Sequence, residues 1–163
     1  MISNILPRFE FKFLLKKKDA NRLVSDLSYF MKLDPFTPTC GYYSIKSLYY
    51  DDTNFSSYLD VIEGERRRFK IRLRHYNDNL SKVSFEIKHK DNKIISKDRI
   101  LTDFVTANDV IKRPWNYTET KFKNIAYRFA KTYYIPSVTT AYKRIPLVGI
   151  FSKNVRVTMD FNF

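Results

Sequence analysis

At 163 residues the chain has room for one domain with a substantial core, since a chain of this size buries roughly 70% of its unfolded surface. Thirty Lys plus Arg against seventeen Asp plus Glu give a formal net charge of +13, a field that draws acidic partners such as nucleic acid, phosphate chains or anionic lipid. A single cysteine, Cys40, excludes an internal disulfide framework; no apolar run approaches the ~20 residues that span a bilayer; and three glycines leave little material for a glycine-rich phosphate loop.

In chain order, residues 7–15 alternate, with Phe9, Phe11 and Phe13 on one face and Arg8, Glu10 and Lys12 on the other, which predicts a first strand. From Asp19 as N-cap, Leu23, Leu27, Phe30 and Met31 recur at helical spacing until Pro35, predicting about four turns. Residues 42–52 are aromatic and strand-like, and Thr53 or Asn54 would cap a short helix carrying Tyr58, Leu59 and Ile62 that Gly64 closes. Three alternating runs at 67–76, 82–90 and 94–101 are separated by turn residues and read as an antiparallel meander. Thr106 would cap a helix bearing Val110 and Ile111, and Thr118 or Thr120 a helix bearing Phe122, Ile125, Ala126 and Phe129. Strands near 137–147 and 154–162 complete the chain, which is read as a single domain.

The most informative run is R-R-R-F-K-I-R-L-R-H-Y at 66–76. Strand alternation puts Arg68, Lys70, Arg72 and Arg74 on one face and Phe69, Ile71 and Leu73 on the other, with successive cations about 6.6 Å apart. Glu86, Lys88 and Lys90 oppose Phe85 and Ile87 in the next run; Lys97 and Arg99 share a face of the one after; Arg144 and Arg156 lie in the last two. Two architectures accommodate this pattern. One is an open sheet with a solvated charged face; the other is a barrel with a cationic interior and amphipathic helices on its apolar exterior.

Glu10 and Glu86 read equally as salt-bridge partners within the cationic rows or as hard oxygen ligands for a metal. His75 and His89 fall on the apolar-side register and read as packed or surface residues; Tyr49 and Tyr50 read as sheet aromatics; Cys40 has no partnered His. The chain contains no G-x-x-x-x-G-K-[ST], G-x-G-x-x-G, H-E-x-x-H or C-x-x-C, so a phosphate would be held by side chains. Aromatics opposite the cations argue against nucleic acid, which needs both on one face.

Seven segments in order, R-F-E-F-K-F (8–13), S-L-Y-Y-D (47–51), R-F-K-I-R-L-R (68–74), F-E-I-K (85–88), K-D-R (97–99), A-Y-K-R (141–144) and R-V-T-M-D (156–160), resemble the VTC domain polyphosphate polymerases. These stand within the triphosphate tunnel metalloenzyme (CYTH-like) superfamily. The resemblance implies an α+β fold in which an antiparallel β-barrel forms a tunnel with a basic interior and amphipathic helices packed outside. It implies ATP and polyphosphate as ligands, with Mn²⁺ or Mg²⁺ as cofactor. Carried over by position, Lys12, Arg72, Arg74, Lys88, Lys97, Arg144 and Arg156 correspond to the phosphate-binding set, with Lys70, Lys90 and Arg99 as neighbours. Arg72, Arg74, Lys88, Arg144 and Arg156 would carry the phosphoryl transfer, and Glu10, Glu86 and Asp160 are the carboxylates available to a metal.

Family members continue past the R-x-T-x-D strand to an E-x-K strand, so a truncated or open tunnel is expected. Hydrolysis of triphosphates and non-catalytic polyanion binding are the alternative activities. The composition reads as cytoplasmic, alone or with a membrane-associated partner subunit. Arg72→Ala combined with Arg74→Ala is expected to abolish polyphosphate binding and leave the fold intact.

Overall fold

The computed structural model describes residues 11–92 and 94–162. They form two compact units, one of residues 46–140 and one of residues 11–45 and 141–162. The regular elements among them are α1 (Lys17–Leu27), β1 (Met31–Leu33), β2 (Tyr43–Asp52), α2 (Ser56–Ile62), β3 (Arg67–Tyr76), β4 (Val83–Asp91), β5 (Ile94–Thr102), α3 (Phe104–Lys112), a 3₁₀ turn (Pro114–Tyr117), α4 (Lys123–Lys131), β6 (Tyr134–Gly149) and β7 (Arg156–Phe161). The strands form one sheet in the order β1-β6-β2-β3-β4-β5, with β7 also on β6. This is an α+β fold built on an antiparallel sheet, as the sequence predicts.

In the first unit, alternation along β3 and β4 drives Ile71, Leu73, Val83, Phe85 and Ile87 to one face, where all are buried. The helices supply the opposing layer: Ala107 and Val110 of α3 and Ile125, Ala126 and Phe129 of α4 join these strand residues, Tyr50 and Tyr134 in one core. Phe129 sits at its centre, with edge-on ring contacts to Tyr134, Tyr50 and Phe85 at 5.2, 5.6 and 5.8 Å. Each fully buried side chain of this size contributes roughly 1.5–3 kcal/mol, enough to fix which face of β3 and β4 turns inward. The cations are thereby left on the other face.

Helix entries differ from the sequence expectation because acidic residues upstream do the capping. Asp103, not Thr106, caps α3, and its Oδ1 accepts from the Thr106 N–H at 2.8 Å. Neither Thr53 nor Asn54 caps α2. Its first turn is held by two adjacent carboxylates, Asp51 accepting from the Ser57 and Tyr58 N–H groups and Asp52 from those of Asn54 and Ser56. Phe55, at φ 55°, makes the left-handed step into the helix. Thr120 lies before α4 and accepts from the Phe122 N–H, but the N-cap residue itself is Phe122.

The second unit contains β1, the C-terminal part of β6 and β7. β6 pairs with β1 through Leu147 to Gly149 and with β7 through Lys143 to Val148. Part of the predicted first strand, residues 7–10 with Glu10, lies outside the described residues; residues 11–16 carry no regular structure. The helix predicted to run from Asp19 through Met31 ends at Leu27, and Met31 instead begins β1. Asp19 stands in the first turn of α1, not at its cap, because the helix starts two residues earlier.

Candidate functional site

The strand register converts three single-strand patterns into cross-strand rows on the face opposite the core. Lys70 of β3 stands opposite Lys88 of β4, which stands opposite Lys97 of β5. In the next row Arg72 opposes Glu86, and Glu86 opposes Arg99. Arg74 pairs with Ser84 beyond it, and Arg68 pairs with Lys90 on the other side. Seven of the predicted phosphate-binding residues (Lys70, Arg72, Arg74, Lys88, Lys90, Lys97 and Arg99) therefore share one face of three strands, together with Glu86.

Glu86 organises the centre. It is 1% exposed. Its Oε2 accepts from Arg72 Nε at 2.7 Å and lies the same distance from Arg72 Nη2, while its Oε1 accepts from Lys97 Nζ and from Ser84 Oγ, each at 2.8 Å. Arg99 Nε donates to Ser84 Oγ at 2.8 Å and stands 3.5 Å from Oε1. Arg72 also donates from Nη1 to the Tyr49 hydroxyl at 3.1 Å, and Arg74 donates from Nε to Ser47 Oγ at 2.9 Å.

Burial alone would raise the Glu86 carboxyl, but the charges of Arg72 and Lys97 and the hydrogen bonds from Lys97 and Ser84 outweigh it and lower it to about 2. Burial likewise opposes the charge on Arg72, yet Glu86 and the Tyr49 hydroxyl hold that guanidinium above its ordinary value. For Lys97, burial prevails over the pull of Glu86, and the ammonium is lowered. Since the folded Glu86 carboxyl lies below its ordinary 4.5, its stabilising effect is complete above that value and is lost as pH falls toward 2. Acid titration followed by circular dichroism is expected to show a loss on the order of 3 kcal/mol across that window. The same titration of Glu86→Gln should lack this component.

Lys70 and Lys88 differ from their neighbours. Both are exposed, and among the described residues neither has an acidic partner. Directly opposed like charges destabilise a sheet, so the lysine row stores repulsion that an anion would relieve.

In the second unit, Arg144 grips Asp160 through two parallel bonds of 2.6 and 2.7 Å, and Arg156 is exposed on β7. Lys12 is exposed in the irregular segment before α1.

Glu86 and Asp160, the two candidate carboxylates among the described residues, do not fit a divalent ion held by protein ligands. Both oxygens of Glu86 are engaged, Oε2 by Arg72 and Oε1 by Lys97 and Ser84. Both oxygens of Asp160 are engaged by Arg144, and among the described residues no three His, Cys, Asp or Glu side chains converge. The sequence offered no reason to select Ser84, Ser47 or Tyr49. Alternation along V-S-F-E-I-K does place Ser84 beside Glu86, and that was the available signal. His89, expected to be packed or on the surface, stands 3.2 Å from Asp98 and beside Phe69.

An α+β chain whose antiparallel sheet buries one face under helices and arms the other with cations has the architecture of the triphosphate tunnel folds. The family model of the VTC domain matches residues 7–163, essentially the whole chain, and the protein belongs to that family. It is a family associated with polyphosphate-related enzymes. No curated protein matches the chain. Among the described residues no helix is long and apolar enough to cross a membrane.

Proposed function

We propose that this chain transfers the γ-phosphoryl group of ATP to the end of a polyphosphate chain. The observation that carries the reading is the lysine row Lys70, Lys88 and Lys97, which adjoins the Arg72 and Arg99 row at the spacing of a β-sheet. Neighbouring strands are about 4.8 Å apart and same-face residues about 6.6 Å apart, so the face is a lattice of cations on which consecutive phosphates can each be engaged. In the reaction a terminal polyphosphate oxygen attacks the γ-phosphorus, a new P–O bond forms, the bond to the β-phosphate oxygen breaks, and ADP leaves.

Such a transition state needs little covalent help. It needs reactants held in line and cations on the charge that spreads over the transferred group. The exposed Lys70 and Lys88 are suited to bind the chain, and Arg72 and Arg99 to hold non-bridging oxygens. Arg74 is buried and supports the row from behind through Ser47. Arg144 and Arg156 keep the phosphate-binding roles that the family resemblance implies for them. Mn²⁺ or Mg²⁺ enters this proposal as the counter-ion of ATP.

Incubation with ATP and Mn²⁺, with the products resolved by gel and by phosphate assay, tests the reading. Chain elongation with equimolar ADP is the expected result. Inorganic phosphate without elongation would establish water as the acceptor, and hence a hydrolase.

A further inference from the structure

We infer that Glu86 is a positioning residue, the fixed internal counter-ion that aims Arg72, Lys97 and Arg99, and that it is not the ligand of a divalent ion. The inference rests on the phosphate-binding reading of this face and adds a role to it. Three observations carry it. Glu86 is fully buried in the middle strand of three, with a cation directly opposite it on each side. Both of its oxygens are engaged by Arg72, Lys97 and Ser84, so a metal would have to compete with two cations for the same carboxylate. Ser84 extends the effect by taking a bond from Arg99 while giving one to Glu86, which ties a third cation to the same carboxylate.

The physical consequence is preorganisation. Three cations crowded on adjacent strands repel one another and would splay toward solvent. One buried carboxylate at their centre bonds Arg72 and Lys97 directly and Arg99 through Ser84. A bound phosphate then meets charges whose directions are already set. The carboxylate costs the face one unit of attraction, but that charge is already balanced by Arg72 and Lys97 beside it, whereas misdirected donors lose contact with the phosphate outright.

The test uses the whole chain, inorganic tripolyphosphate in EDTA, and Mn²⁺ alone. Titration calorimetry with tripolyphosphate is expected to show about tenfold weaker binding for Glu86→Gln. Glu86→Asp, which keeps the charge and shortens the reach by one methylene, should recover part of the loss. The Arg72 Nε–Hε resonance, displaced by its charged acceptor in the parent protein, should move toward the free-arginine position in Glu86→Gln and return partway in Glu86→Asp. Mn²⁺ binding, read by electron paramagnetic resonance without phosphate, should be the same in all three proteins.

Metal-free tripolyphosphate affinity that is unchanged in both variants, with Mn²⁺ binding reduced, would make Glu86 a metal ligand and overturn this inference while leaving the phosphate reading intact. Failure of the parent protein to bind tripolyphosphate would overturn the phosphate reading and this inference with it. Should Glu86→Gln not fold, Glu86→Asp decides between the same outcomes, with a severalfold loss of metal-free affinity expected.

Discussion

Replacing Lys70 and Lys88 together with alanine weakens binding of tripolyphosphate by about a hundredfold or more and leaves thermal stability unchanged or slightly raised. The affinity loss follows from removing two cations that have no acidic partner among the described residues, each charged hydrogen bond to a ligand being worth roughly 1.5–3 kcal/mol net. The stability result follows from the register. Lys70 faces Lys88, and Lys88 faces Lys97, so truncation removes like-charge opposition and buries nothing new. Binding measured from low to moderate salt should lose roughly one unit of log–log slope for each lysine removed. Parallel calorimetric melts check the second half of the expectation. A large drop in melting temperature would mean that the lysines hold the sheet together and are not reserved for a ligand.

Arg72→Ala is expected to behave in the opposite way, with stability falling together with binding. Removing one partner of a buried pair leaves a buried charge short of its strongest partner, and such changes typically cost about 3–5 kcal/mol. The lower end, about 3 kcal/mol, applies because Lys97 and Ser84 still contact Glu86. For a chain of this length that corresponds to a fall of roughly 10 °C in melting temperature. The double replacement of Arg72 and Arg74 is therefore not the clean binding variant that the sequence suggests. Arg74 is 8% exposed and bonded to the buried Ser47, so both arginines belong to the packing of the sheet as well as to its charge. Chemical denaturation of Arg72→Ala beside Lys70→Ala with Lys88→Ala separates the two kinds of cation: only the first should shift the midpoint.

The meander was legible because it is a period-two pattern over nine or ten residues, and such runs specify both the strand and its faces. The amphipathic spacing of Ile125, Ala126 and Phe129 announced α4 for a similar reason, and those three residues are buried. Helix entries were less legible. A Thr before an apolar run is a weak signal when Asp51, Asp52 or Asp103 nearby offers a stronger acceptor for the same N–H groups. β1 was missed because three residues are too few to show any period, and Met31–Leu33 is a strand only because Leu147 to Gly149 lies beside it.

By itself the sequence determined that this protein carries an apolar face and a cationic face on the same strands, and the ordered motifs fixed the family. It did not determine which cations are spare. Arg72, Lys88 and Lys97 are equivalent members of alternating rows when each strand is read alone. Only the pairing of β3, β4 and β5 sets Glu86 between Arg72 and Arg99 and leaves Lys70 opposite Lys88. The reason is that neutralisation of a charge depends on what stands some 5 Å away on the neighbouring strand, and that distance is set by register between segments, not by spacing within one.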